Sequence, residues 1–469
     1  MEKKFIGRDV LLILVLFVIS RIIVRLFGVH FSYIALYQYW QYLDVETLRN
    51  HLLRGLWYDH AQPPGFNLLL GIVLKLSGPH APLAFNILFK TLTLINVFLL
   101  LHILKQLISN RNLPLIISLI YLLSPATLIL ETELFYTTFI SMLLLLSVFF
   151  LLHFQQKQNW LNGLGIFFPL AILCLTRSMY HVAWLLVIAL AVLFYYRSKN
   201  GLGKLALSAF LSLALVAGWY VKNYFVFGSF STSTWIGMNI SRNVFHDNEI
   251  KDSARIEAYE PFSKISYYKK FISGNLKKKF AGLDDRDLLT EMKNGTFINE
   301  NHIDYIEVSK KYMEASKEYV KAHPIAYLKN VLQSGIIFFT PATRYMIAEE
   351  KAGKMKYYDA VYSFNLSPFA EGKQQRRIAL AISSIPKLLI YLIVFFFISC
   401  LAIRNKKIGL LNFIITITIG FVFIISSLFE HYENMRFRYE IEPLFLILLA
   451  QVIAVFILNE KESRLTQGR

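Results

Sequence analysis

The feature that most restricts this chain is a series of apolar blocks long enough to cross a bilayer. They run at 10–28, 82–104, 113–130, 134–154, 161–176, 180–196, 204–221, 379–403, 408–428 and 441–458. A helix rises about 1.5 Å per residue, so roughly 20 apolar residues cover a hydrocarbon core about 30 Å thick. Within that core the backbone must satisfy its own hydrogen bonds, and for uninterrupted blocks of this length the helix does so. The expected fold is an all-α polytopic membrane protein with about ten transmembrane helices. A hydrophobic content of 55% and a mean hydropathy of +0.47 fit no ordinary soluble domain. The start, "MEKKFIGRDVLLILVLFVIS", has the basic and apolar regions of a signal peptide. Arg21 and Arg25 stand where a small-residue cleavage site would follow, so an uncleaved first span is expected.

The net charge is +18. Lys and Arg border the apolar blocks, where the positive-inside rule and anionic headgroups account for them, and no nucleic-acid partner is expected. With a cytoplasmic start, ten spans put both termini inside. The short basic connections at Lys105 and Arg111, at Lys157, at Arg197, Lys199 and Lys204, and at Arg404, Lys406 and Lys407 then fall inside too. Two outer connections are long, 29–81 and 223–378. The chain therefore divides into a transmembrane module at 1–222, a large extracytoplasmic loop at 223–378 and C-terminal transmembrane helices at 379–469. The apolar stretch 331–341 is expected to lie as a partly buried surface helix, since a crossing there would invert the last three spans. In "WYDHAQPPGFNLL", Pro63 and Pro64 end a polar loop and open an apolar segment too short to span. That segment is expected to be a juxtamembrane helix on the outer face. Cys174 and Cys400 both sit in apolar stretches and build no disulfide framework.

With this topology the unusual polar residues gather on the outer side. They are Asp44 and Glu46 in "YLDVETLRNHLLRG", Glu131 and Glu133 in "LETELFYTT", Arg177 and His181 in "LTRSMYH", and Lys222 in "GWYVKNYFVFGSF". The last outer turn, "FEHYENMRFRYEIEP", adds Glu430, His431, Arg436, Arg438 and Glu442. Each has an ordinary alternative: snorkelling for Arg177 and Lys222, a helix cap for Glu131 or Glu133, a solvated loop carboxylate for Asp44. Arg21 and Arg25 read as the end of the first span, and His51 and His60 lack metal-ligand spacing. Ionisable groups at the membrane edge cost a few kcal/mol when they face lipid, so their collection on one side points to a cavity there.

Four stretches in order resemble the integral-membrane glycosyltransferases of the GT-C fold, in particular the bacterial branch related to protein O-mannosyltransferases and the lipid A aminoarabinose transferase. They are Asp44 with His60-Ala-Gln-Pro63-Pro64; the acidic turn at Glu131 and Glu133; the exit Trp219, Lys222, Asn223, Phe227, Gly228, Phe230 with Trp235 to Asn239; and His323, Pro324, Tyr327, Leu328 with Arg436, Arg438 and Pro443. The chain departs from the family in having Asp44-Val-Glu46 where adjacent acids are usual, and Ala61-Gln62 between His60 and the prolines. The resemblance implies transfer of a sugar from a polyprenyl-phosphate donor to a glycan, lipid or protein acceptor on the outer face of a bacterial cell membrane. An acceptor hydroxyl is a weak nucleophile, and general-base help is typically worth about 10² to 10⁴ in rate. The resemblance gives the base role to Asp44, with Glu46 and Glu133 as the other catalytic candidates. His60, Glu131, Arg177, Lys222, Arg436 and Arg438 are the substrate-binding candidates, the cations facing the leaving phosphate. A divalent ion at the acidic turn stays open. The rival readings are another enzyme of lipid-linked glycans, a polymerase or ligase, and a multi-span transporter.

Overall fold

The computed structural model describes residues 2–39, 41–245, 286–293, 295–404 and 409–458. The basic connection at Lys406 and Lys407 and the run "NLKKKFAGLDD" lie outside them. The helices in chain order are α1 (Glu2–Leu26), α2 (Ala35–Gln38), α3 (Val45–Asn50), α4 (Leu52–Tyr58), α5 (Gly65–Ser77), α6 (Ala81–Leu107), α7 (Leu113–Leu123), α8 (Pro125–Leu130), α9 (Thr137–Gln156), α10 (Trp160–Thr176), α11 (Val182–Tyr196), α12 (Leu202–Phe227) and α13 (Ile236–Phe245). A short α14 (Arg286–Leu289) precedes the antiparallel pair β1 (Met292–Lys293) and β2 (Phe297–Ile298). Then follow α15 (Tyr305–Ala322), α16 (Pro324–Phe338), α17 (Glu349–Lys354), α18 (Lys356–Ser363), α19 (Gly372–Arg404), α20 (Leu410–Phe429), α21 (Asn434–Glu440) and α22 (Glu442–Val452).

This is an all-α, membrane-embedded protein. Among the described residues five helical stretches are long and apolar enough to span: Gly65–Leu107, Thr137–Gln156, Leu202–Phe227, Gly372–Arg404 and Leu410–Phe429. Asn434–Glu440 and Glu442–Phe456 make a sixth if taken together, bent by 62°, and α7, α10 and α11 are shorter apolar helices. The ten blocks of the sequence are thus more unequal than their hydropathy. Block 113–130 is divided at Ser124, whose hydroxyl caps α8 by accepting from Thr127 N. A residue before proline avoids the helical region, and Pro125 imposes that break.

The double proline does what its position suggests. Pro64 is the N-cap of α5, and Gly65 follows because a Cβ there would stand 2.7 Å from Leu175 O at the end of α10. Gly78, at φ +52°, separates α5 from the next long helix. In the bundle, α10 packs between α9 and α12 through small residues, as helices do where lipid removes the hydrophobic drive. Ser147 Oγ donates to Ile166 O at 2.8 Å, and Gly163 lies against Ser208.

The two long connections meet at one end of this bundle. Lys354 Nζ donates to Gly28 O at 3.2 Å, and Tyr358 Oη to Leu123 O at 2.6 Å. Residues 331–341 form the second half of α16 and the turn after it. Tyr327 Oη reaches Leu428 O, and Phe338 packs on Phe423. The chain then returns to the same end of the bundle through Lys351 and Lys354.

Candidate functional site

Most of the polar residues singled out in the sequence fall into three groups near the loop that carries Asp44, with Arg438 and Glu442 in a separate cluster and His181 capping α11. The first is the turn after α8. Arg21 holds Glu131 through two parallel hydrogen bonds of 2.8 Å, and both side chains are buried. Lys351, from the large loop, pairs with Glu133 at 2.6 Å and donates to Thr132 O at 3.0 Å. Burial pushes the Glu133 carboxyl up to about 7 against the pull of Lys351. Both carboxylates of this turn are paired with cations.

The second group is a chain of alternating charges. Arg177 and Arg436 each approach Glu440 Oε1 at 3.4 Å. Arg436 also pairs with Glu433, and Arg242 reaches Glu433 at 3.4 Å and Glu430 at 3.5 Å. Three guanidinium groups thus face three carboxylates, with Arg436 completely buried. Burial raises Glu433, but Arg436 and Arg242 overcome it and hold the carboxyl at about 2. At the end of the chain, burial and the neighbouring Glu433 push Glu430 up to about 7. Removing one partner from such a network leaves an uncompensated buried charge. Arg438 belongs to a separate cluster: it donates to Phe338 O at 2.8 Å and Thr340 O at 3.2 Å and pairs with Glu442, which also binds Lys387 at 2.7 Å.

The third group is the His-Ala-Gln-Pro-Pro segment. His60 is fully buried. Its Nε2 donates to Asn301 O at 2.9 Å, which leaves Nδ1 to accept from Thr234 Oγ1 at 2.8 Å. Burial drives its pKa down to about 3, so the ring is neutral. Lys222 Nζ donates to Trp57 O at 2.9 Å and Asp59 O at 3.2 Å and lies over the Trp219 ring. His60 and Lys222 therefore join the first loop to α12 and to the large loop.

Asp44 lies on the loop whose neighbouring residues touch these groups. It is the N-cap of α3, half-buried, with its carboxylate accepting from Glu46 N at 2.8 Å, while Glu46 itself is exposed. Its loop is tied to each neighbour. Tyr42 Oη donates to Leu134 O at 2.9 Å, next to the acidic turn. Tyr39 packs on Phe135, and Phe66 on Tyr136, whose hydroxyl accepts from Arg177. Asn67 binds Leu43 N through its oxygen and Asp59 through its nitrogen. From the large loop, Lys293 Nζ donates to Tyr39 O and Tyr42 O, both at 2.7 Å.

Sequence reasoning missed Lys293, Lys351 and Arg242, because single cations in a basic loop carry no pairing signal. Glu433 and Glu440 were detectable, being three and four residues from Arg436 on one helix. No protein-family model, curated protein or solved structure matches the chain.

Proposed function

We propose that this protein is a glycosyltransferase of the GT-C type, moving a sugar from a polyprenyl-phosphate donor to an acceptor at the outer face of a bacterial cell membrane. In this reading the bundle end bearing the two long loops is the outer face, and the chain crosses about ten times. The observation that carries the reading is the setting of Asp44. A half-exposed carboxylate is held on a short helix cap, and its loop is fastened by Tyr42 to the Leu134 carbonyl, by Asn67 at Leu43 N, and by the buried Lys293 ammonium. That rigidity suits a group that must meet a hydroxyl in one orientation.

The chemistry follows from that placement. The acceptor O–H gives its proton to Asp44 while its oxygen attacks the anomeric carbon. The bond from that carbon to the phosphate oxygen breaks, and polyprenyl phosphate leaves with the electron pair. A single displacement inverts the anomeric centre. Charge develops on the phosphate, where fixed cations lower the barrier most. The guanidinium–carboxylate chain sets three cations against three carboxylates and Lys222 has the Asp59 charge beside it, so the separate Arg438–Lys387–Glu442 cluster, two cations to one carboxylate, keeps positive charge. Glu131 and Glu133 shape the site through Arg21 and Lys351.

One observation favours a transporter: the 62° break between Asn434–Glu440 and Glu442–Phe456, since transporters often bind substrate at broken helices. Here the break at Ile441 is flanked by Glu440 and Glu442, and both carboxylates are already paired with arginines. The test is incubation of membranes holding the protein with a panel of radiolabelled polyprenyl-phosphate sugars. Label passing to an acceptor, with free polyprenyl phosphate released, supports the reading. Uptake into sealed vesicles without any transfer supports the transporter instead.

A further inference from the structure

A cleft of about 270 Å³ opens between the last turns of α1 and the first turns of α6, and Asp44, Arg177 and Lys222 do not line it. Its floor is the Arg21–Glu131 pair, whose charges cancel. Its walls carry Arg25, His30, Asn86 and Lys90. The Arg25 and Lys90 side chains make no ion pair or hydrogen bond among the described residues. Two uncompensated cations thus face one space. Lys90 lies nine residues into α6, about 13 Å along the helix, deeper than a lysine needs to be to reach water. The cleft does not end in solvent alone. Leu26 is 81% exposed, Leu83 59% and Ile87 57%, which continues the cleft as an apolar, lipid-facing surface on both helices.

We propose that this cleft is a binding site for the phosphate headgroup of an anionic membrane lipid, separate from the Asp44 site and independent of the reaction performed there. The phosphate sits between Arg25 and Lys90, and the acyl or isoprenyl chains lie along Leu26, Leu83 and Ile87. A free phosphate satisfies the cations but not the apolar continuation, which is why the lipid is the occupant. Bound there, the lipid bridges α1 and α6 above the Arg21–Glu131 pair.

The test is native mass spectrometry of the full-length protein in a neutral detergent with phosphatidylglycerol, phosphatidylcholine or inorganic phosphate added. The wild type is expected to retain one phosphatidylglycerol in preference to phosphatidylcholine. Each juxtamembrane cation is worth on the order of 1 kcal/mol toward an anionic lipid, so the Arg25→Gln/Lys90→Gln variant should retain it roughly ten- to thirty-fold less. A control with the same charge change at the start of α19, Lys373→Gln/Arg376→Gln, should match the wild type. Equal loss in both variants, no preference for the anionic lipid, or displacement of it by millimolar phosphate would each overturn the proposal.

Discussion

At the scale of single residues, the ion pair of Glu133 and Lys351 shows how firmly the acidic turn is set. Both groups lie in low-dielectric surroundings, so losing one partner should cost more than losing both. Lys351→Met is expected to destabilise the protein by about 3 kcal/mol. The Glu133→Gln/Lys351→Met double variant should cost clearly less than the sum of the two single changes, read as apparent Tm in detergent. Strict additivity would show that the pair is not coupled. His60 gives a pH signature. Its pKa is about 3 in the fold against about 6.5 in an unfolded chain. Between those values the unfolded chain binds the extra proton. The stability that neutral His60 contributes is therefore intact above pH 6.5 and lost as pH falls, by about 1.4 kcal/mol per unit. The Tm of the wild type should fall more steeply from pH 6.5 to 4.5 than that of His60→Gln, and parallel curves would remove His60 from the account.

At the scale of elements, the close approach at Gly65 sets where α5 leaves the polar loop. A methyl group there meets a backbone carbonyl that cannot rotate away. Gly65→Ala should lower stability by about 1–3 kcal/mol despite its gain in helix propensity, checked by the same melting assay. Elements are also where the sequence was most and least readable. The start of α5 was legible because proline and glycine act locally. The break at Ser124–Pro125 was equally local, yet block 113–130 reads as one span because hydropathy ignores backbone geometry. The partner of Glu131 lay 110 residues away at Arg21, a residue that reads as a span end. The fastening of Tyr42 by Lys293 spans 251 residues. Periodicity does not encode such pairs; only the folded bundle brings them together.

At the scale of the whole molecule, both long loops converge on one end, and that arrangement makes a topology prediction. Exposed cysteines replacing Lys321 and Lys373, in a Cys174→Ser/Cys400→Ser background, should react with a membrane-impermeant maleimide in intact cells. A cysteine replacing Lys199 should react only after permeabilisation. Opposite labelling of positions 321 and 373 would mean that 331–341 crosses, and would dissolve the single polar end. The same convergence ties the loop of Asp44 to separately anchored parts of the chain, and on it the enzymatic account depends. The most direct measurement is therefore transfer of labelled sugar from a polyprenyl-phosphate donor by wild type and Asp44→Asn, at matched expression and matched Tm. The account predicts that transfer falls by about 10² to 10⁴ while the melting temperature holds. Equal transfer by the two proteins would contradict it.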